Sequence, residues 1–214
     1  MKHKVCCCIG YRPKNHDEEY FHDNTLFYKE YLLVLEYSIE KYIKQGFDYF
    51  IAPATIGVGL DFAETVSRLR EQYPHIKLEI VQPFLKPFQD CFPYHQERYR
   101  LLLKSADKIS FSSFFPNRNA FRDLYRRILS LSDSALFVWD GQRVGEVYKA
   151  LRYAKKRRLS IQYIGMLPIH GRRFRKNYNF YLNHYSTAEN VKKKDQTFEK
   201  IQKMEEERLK NKNA

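Results

Sequence analysis

The chain has 214 residues, 43% of them hydrophobic and 29% charged, with 17 tyrosines and 16 phenylalanines. That apolar content exceeds what a disordered chain carries, and eight glycines and eight prolines exclude a collagen-like or linker-rich protein. The net charge of +13 is uneven: residues 1–140 sum to +1 and residues 141–214 to +12.

In chain order, Lys4 to Ile9 reads as a short buried strand ended by Gly10, followed by a loop through Arg12-Pro13 to about Asn24. Leu26 to Gln45 carries Leu32, Leu35, Ile39 and Ile43 at helical spacing and stops at Gly46, a helix C-terminal signal. Phe47 to Ala52 is the second predicted strand, Pro53 to Gly59 a turn, and Leu60 to Gln72 a helix with Phe62, Ala63, Val66 and Leu69 inward. Lys77 to Gln82 is the third strand, Phe84 to Pro93 a loop, Tyr94 to Ala106 a helix, and Lys108 to Ser113 the fourth strand. Arg118 to Leu131 is a helix, Ala135 to Trp139 the fifth strand, Glu146 to Arg157 a helix, and Ser160 to Ile164 the sixth strand. Phe111, Phe114, Phe115 and Phe121 are expected in the core or at a subunit contact. Beyond residue 166 the chain is basic and aromatic, then charged, without clear periodicity, and is expected to be partly helical or disordered.

Short apolar strands alternating with helices predict an α/β fold with an open, mostly parallel sheet covered by helices on both faces. Two parts are expected: a Rossmann-like domain over residues 1–166 and a basic C-terminal extension over 167–214. No apolar run approaches the ~20 residues needed to span a bilayer, and the N-terminal apolar stretch is shorter than the ~7–15 residues of a signal-peptide core, so the expectation is a cytoplasmic protein with no membrane partner. Cys6, Cys7 and Cys8 are consecutive, which suits alternating faces of a buried strand better than a disulfide or a metal site. The seven histidines are scattered, so neither a metal nor another cofactor is expected.

Open parallel sheets bind ligands at the carboxyl ends of their strands. The loops there hold Gly10-Tyr11-Arg12-Pro13, Pro53 to Gly59, and Asp140 to Glu146. Arg12 and Arg143 suit a phosphate or carboxylate, Tyr11 a base, and Asp140 a ribose hydroxyl. Gly57 and Gly59 open a helix whose backbone N–H groups can hold an anion. The cations Arg152, Lys155, Lys156, Arg157 and Arg158, with Arg172, Arg173 and Arg175 further on, offer a separate surface for nucleic acid.

The ordered set of motifs resembles the SLOG superfamily, the Rossmann-like group that includes DprA and the LOG phosphoribohydrolases, and within it the YpsA-like branch. The residues that carry the resemblance are Ile9 to Pro13, Ala52 to Gly59 with Ala63-Glu64, Pro83-Phe84 with Gln89, Arg98-Tyr99, Ala106-Asp107, Ser132-Asp133, Asp140-Gly141, and Arg152 to Lys156. They span about residues 4–166. Three departures fall in the loops. Ala52-Pro53 replaces Ser-Gly, Gly59 replaces an Asp, and Gly145-Glu146-Val147 replaces Gly-Gly-Thr. A glutamate there brings negative charge toward an anion site.

The resemblance implies binding of a nucleotide or nucleotide-derived small molecule by Gly10, Tyr11, Arg12, Thr55, Gly57, Gly59, Asp140, Gly141, Arg143 and Gly145, in a sensor or sequestering protein. It also implies a homodimer or higher homo-oligomer. Two alternatives follow: a DprA-type nucleic-acid module using the basic C-terminal region, and a LOG-like nucleotide N-glycosidase with Glu64 or Glu146 as the acid. The LOG pattern Pro-Gly-Gly-x-Gly-Thr-x-x-Glu is absent, which favours binding over catalysis.

Overall fold

The computed structural model describes residues 3–10, 26–89, 91–139, 141 and 143–165. Among the described residues eleven elements alternate strictly: β1 (Val5–Gly10), α1 (Leu26–Lys44), β2 (Tyr49–Pro53), α2 (Val58–Leu69), β3 (Lys77–Gln82), α3 (Pro93–Ser105), β4 (Lys108–Phe111), α4 (Ala120–Leu131), β5 (Ser134–Trp139), α5 (Gly145–Lys156) and β6 (Ser160–Gly165). All five strand pairings are parallel, and the order across the sheet is β4-β3-β2-β1-β5-β6. The expected extension beyond residue 166 lies outside the described residues.

The alternation of side chains along a strand divides the core into two layers. Cys6 and Cys8 of β1 point with Phe50, Leu78 and Ile80 toward Leu35 and Ile39 of α1, Phe62 and Val66 of α2, and Leu102 of α3. Cys7 and Ile9 point the other way, with Ile51, Val81 and Phe137, toward Leu124 and Ile128 of α4 and Leu151 and Ala154 of α5. Helices therefore cover both faces. The three cysteines are free and fully buried, as small apolar side chains, and burial raises the pKa of each thiol, that of Cys7 to about 12.

One device recurs at the amino-terminal edge of the sheet. Asp48 stands just before β2, and its N–H donates to the Lys4 carbonyl while its carboxylate accepts from Lys4 N–H at 2.9 Å. Asp107, before β4, makes the same reciprocal pair with Leu78 of β3, and Asp133, before β5, with Val5 of β1. Each aspartate satisfies the first donor of the neighbouring strand, where the ladder has not begun, and so fixes the register. Two of the signature motifs, Ala106-Asp107 and Ser132-Asp133, thus hold the sheet together at the edge away from the carboxyl ends of the strands.

Of the phenylalanines expected in the core or at a subunit contact, Phe114 and Phe115 lie outside the core. They are 63% and 77% exposed in the loop after β4, while Phe121 packs half-buried against the α4–α5 core layer.

Candidate functional site

The sheet order reverses between β1 and β5: β2, β3 and β4 follow one another on one side of β1, and β5 and β6 lie on the other. The helices that follow β1 and β5 lie on opposite faces, and in open parallel sheets such a point is where a ligand crevice forms, here between Gly10 and Trp139. The loop after β2 and the described residues of the loop after β5 lie at this edge.

On the β2 side, α2 begins at Val58 with Gly57 as N-cap at φ 78°, ψ −130°, a conformation only glycine adopts readily. No side chain caps this end. Gly10 packs directly on it: a Cβ at Gly10 would stand 2.5 Å from Val58 Cγ1. Gly59 lies over the turn below, where a Cβ would come within 2.3 Å of Thr55 Oγ1 and 2.4 Å of the Pro53 carbonyl oxygen. Gly10, Thr55, Gly57 and Gly59 are all buried. Close packing alone therefore accounts for glycine at positions 10 and 59.

On the β5 side the same edge is open. Gly141, Arg143 and Gly145 are exposed. Gly145 starts α5 at φ +81°, with no atom within 4 Å of where a Cβ would stand, and no side chain caps the helix. Glu146, in the first turn, pairs with Lys149 at 2.7 Å through Oε1, and its Oε2 is buried with no hydrogen-bond partner. Tyr11, Arg12 and Asp140 lie outside the described residues.

Glu64 is committed elsewhere. Both its oxygens accept from Arg98 of α3, at 2.7 and 2.6 Å, and the same guanidinium donates to Asp61 Oδ1 at 2.8 Å. The Tyr28 hydroxyl also donates to Asp61 Oδ1, at 2.8 Å. Asp61 is 1% exposed. Burial pushes its carboxyl up to about 6, against the pull of Arg98, while Glu64 and Asp61 outweigh burial at Arg98 and raise its pKa. This cluster ties the first turns of α1 and α2 to α3, and it was not legible as a unit in the sequence. Arg98 and Asp61 are 37 positions apart, and only the packing of α2 on α3 joins them.

The exposed cations Arg152, Lys155, Lys156, Arg157 and Arg158 lie along α5 and just after it. In a β-α-β crossover the helix runs antiparallel to the strands, so these residues sit at the amino-terminal edge of the sheet, opposite the crevice. The structure does not bring them together with Gly141, Arg143 and Gly145. Arg172, Arg173 and Arg175 lie outside the described residues.

Among the described residues, no helix is long and apolar enough to cross a membrane, and no group of three or more His, Cys, Asp or Glu could hold a metal ion.

A family model described as the YspA SLOG family matches residues 6–168. A UPF0398 protein of Bacillus velezensis is 27% identical over 157 residues, 72% of this chain and 85% of that protein. The UPF0398 protein YpsA of Bacillus subtilis is 24% identical over 157 residues, 72% of this chain and 86% of that protein. A UPF0398 protein of Brevibacillus brevis is 29% identical over 113 residues, 52% of this chain, and the match spans 60% of that protein's length.

Proposed function

Since the chain belongs to the YpsA family of SLOG proteins, we propose that it binds a nucleotide-derived small molecule in the crevice between the carboxyl ends of β1 and β5. The observation that carries this reading is the reversal of strand order at that point, with the uncapped amino terminus of α5 opening onto it. Unsatisfied N–H groups at a helix start attract a phosphate, and the exposed backbone at Gly145 lets one approach. Arg143, exposed in the same loop, supplies a charged donor. Glu146 fits this reading as an acceptor for a sugar hydroxyl, since one of its oxygens has no other partner. Of the two candidate acids for cleavage, Glu64 is held by Arg98 in a two-point ion pair, which supports a reading of binding.

The test is a thermal-shift panel of nucleoside monophosphates, cyclic nucleotides and ADP-ribose on the full chain, followed by titration of whichever compound stabilises it. Arg143→Ala is expected to weaken that compound by 10-fold or more, consistent with the ~1.5–3 kcal/mol of a hydrogen bond to a charged group. An unchanged affinity in Arg143→Ala, or no stabilising compound in the panel, would sink the crevice as the site.

A further inference from the structure

The two faces of the sheet treat their arginines differently. On the face of α1, α2 and α3, Arg68 pairs with Glu36, Arg70 with Asp107, Arg98 with Asp61 and Glu64, and Arg100 with Glu97. On the face of α4 and α5, Arg122 pairs with Asp123 and Lys149 with Glu146. Apart from Arg118 and Arg143, which precede the two helices, the remaining cations of that face are Arg126 and Arg127 of α4, Arg152, Lys155 and Lys156 of α5, and Arg157 and Arg158 just after it. All seven are exposed, and none makes an ion pair with a described carboxylate.

These seven form one corner. The carboxyl ends of α4 and α5 both arrive at the amino-terminal edge of the sheet, and Arg157 donates from Nη1 to the Leu129 carbonyl across them at 3.2 Å. The Arg126 guanidinium lies 5.8 Å from the centre of the Tyr153 ring, which bridges the two helices in the same place. The helix dipole accounts for Lys155 and Lys156 in the last turn of α5. It does not account for Arg126 and Arg127, since the last turn of α4 holds no basic residue. The nearest acid in sequence, Asp123, three and four positions before Arg126 and Arg127, pairs with Arg122 at 3.1 Å, and Asp133, the next acid along, spends its carboxylate on the first N–H of β1. Seven like charges that make no ion pair with a described carboxylate repel one another, and a polyanion relieves that repulsion.

We propose that this α4–α5 corner binds the sugar–phosphate backbone of a nucleic-acid duplex without regard to sequence. Five of the seven cations are arginines, whose planar fork matches a phosphate in two-point contact. A bilayer surface fits less well. Leu131 is the one large apolar side chain exposed at the corner among the described residues, whereas interfacial helices insert several. A single strand fits less well too, since none of the described exposed aromatics lies there to stack on bases. The proposal is independent of the crevice, which lies at the opposite edge of the sheet.

The test compares two triple variants of the full chain with the same loss of charge. One removes corner cations (Arg127→Gln, Arg152→Gln, Lys155→Gln); the other removes exposed cations elsewhere (Lys41→Gln, Lys86→Gln, Lys104→Gln). Binding to labelled 24-base-pair DNA and RNA duplexes is read by fluorescence anisotropy at several salt concentrations. The corner triple is expected to lose at least 10-fold in affinity at ~100 mM salt. Its log–log salt slope should shrink by roughly 2–3, at about 0.9 per phosphate contact. The control triple should stay within about 3-fold of the parent. Which duplex binds better distinguishes DNA from RNA.

Equal losses in both triples would mean net charge alone is read, and no loss in either would place the contact elsewhere; each outcome overturns the proposal, as would binding to phosphatidylserine vesicles but to no duplex. A second measurement on the parent chain needs no variant. Duplex should protect Lys155 and Lys156 from acetylation while leaving Lys104 reactive, and failure of that protection also overturns the proposal.

Discussion

Asp61 is the least ordinary residue of the described chain. A carboxylate that is 1% exposed would cost several kcal/mol if left alone, and Arg98 with the Tyr28 hydroxyl offsets much of that. Its carboxyl is nevertheless pushed up to about 6 from an ordinary 3.8. Between those values the folded chain keeps a proton that the unfolded chain has released, so stability from this group falls as pH rises from about 4 to about 6 and is level above. The span is on the order of 2–3 kcal/mol. Asp107 and Asp48 are lowered by their hydrogen bonds and give the opposite slope, stabilising above pH ~4, so the parent protein's own profile mixes the two signs. Asp61→Asn isolates the first. Denaturant unfolding of both proteins from pH 4 to 7 should show the variant gaining on the parent as pH rises; a constant difference would mean Asp61 is ionised throughout. In the sequence, Asp61 was visible only as a carboxylate two places past the position where the family carries one.

At the scale of the element, α2 shows what one sequence can and cannot disclose. The helix and its inward face of Phe62, Ala63, Val66 and Leu69 are legible from spacing, and all four are buried. Its start is not. Gly59 reads as a helix breaker, which puts the predicted start at Leu60, yet the helix begins at Val58. Gly59 sits inside the first turn because Thr55 and the Pro53 carbonyl leave no room for a Cβ. Pro53 likewise reads as turn but ends β2. The pairing of β2 with β1 stops at Ile51, so the N–H that proline lacks falls where only β3 is a partner. These contacts depend on strands distant in sequence. Gly59 and Gly145 are glycines for different reasons, and substitution separates them. Gly59→Ala and Gly59→Asn should both cost ~1–3 kcal/mol or more, because a short side chain meets backbone. Gly145→Ala should cost about 1 kcal/mol from its left-handed backbone alone, and Gly145→Asn less, since asparagine tolerates that region and the space is open. Chemical denaturation of the four variants checks the pattern; equal costs at the two sites would refute the distinction.

At the scale of the whole molecule, the strict alternation of strands and helices made the α/β class legible, while strand order was not, because nothing local specifies that β5 returns to the far side of β1. That return places two features at opposite edges of one sheet. Gly141, Arg143 and Gly145 face the carboxyl edge, and the cations after Arg152 face the amino edge. The sequence placed both groups within about 18 positions along the chain, and only the antiparallel run of α5 separates them. Among the described residues β6 is the last strand: Gly165 pairs with Trp139, and the helices that build both core layers precede it. A chain ending at residue 166 should therefore unfold cooperatively, with a stability within about 1 kcal/mol of the full chain, because it retains the sheet and both buried layers. It should also keep any thermal shift produced by a crevice ligand, while its affinity for a duplex falls only by the share that residues 167–214 contribute. Unfolding curves and the same two binding assays on the shortened chain read all three. A shortened chain that fails to fold would mean that residues beyond 166 are part of the core, and the division at that position would be wrong.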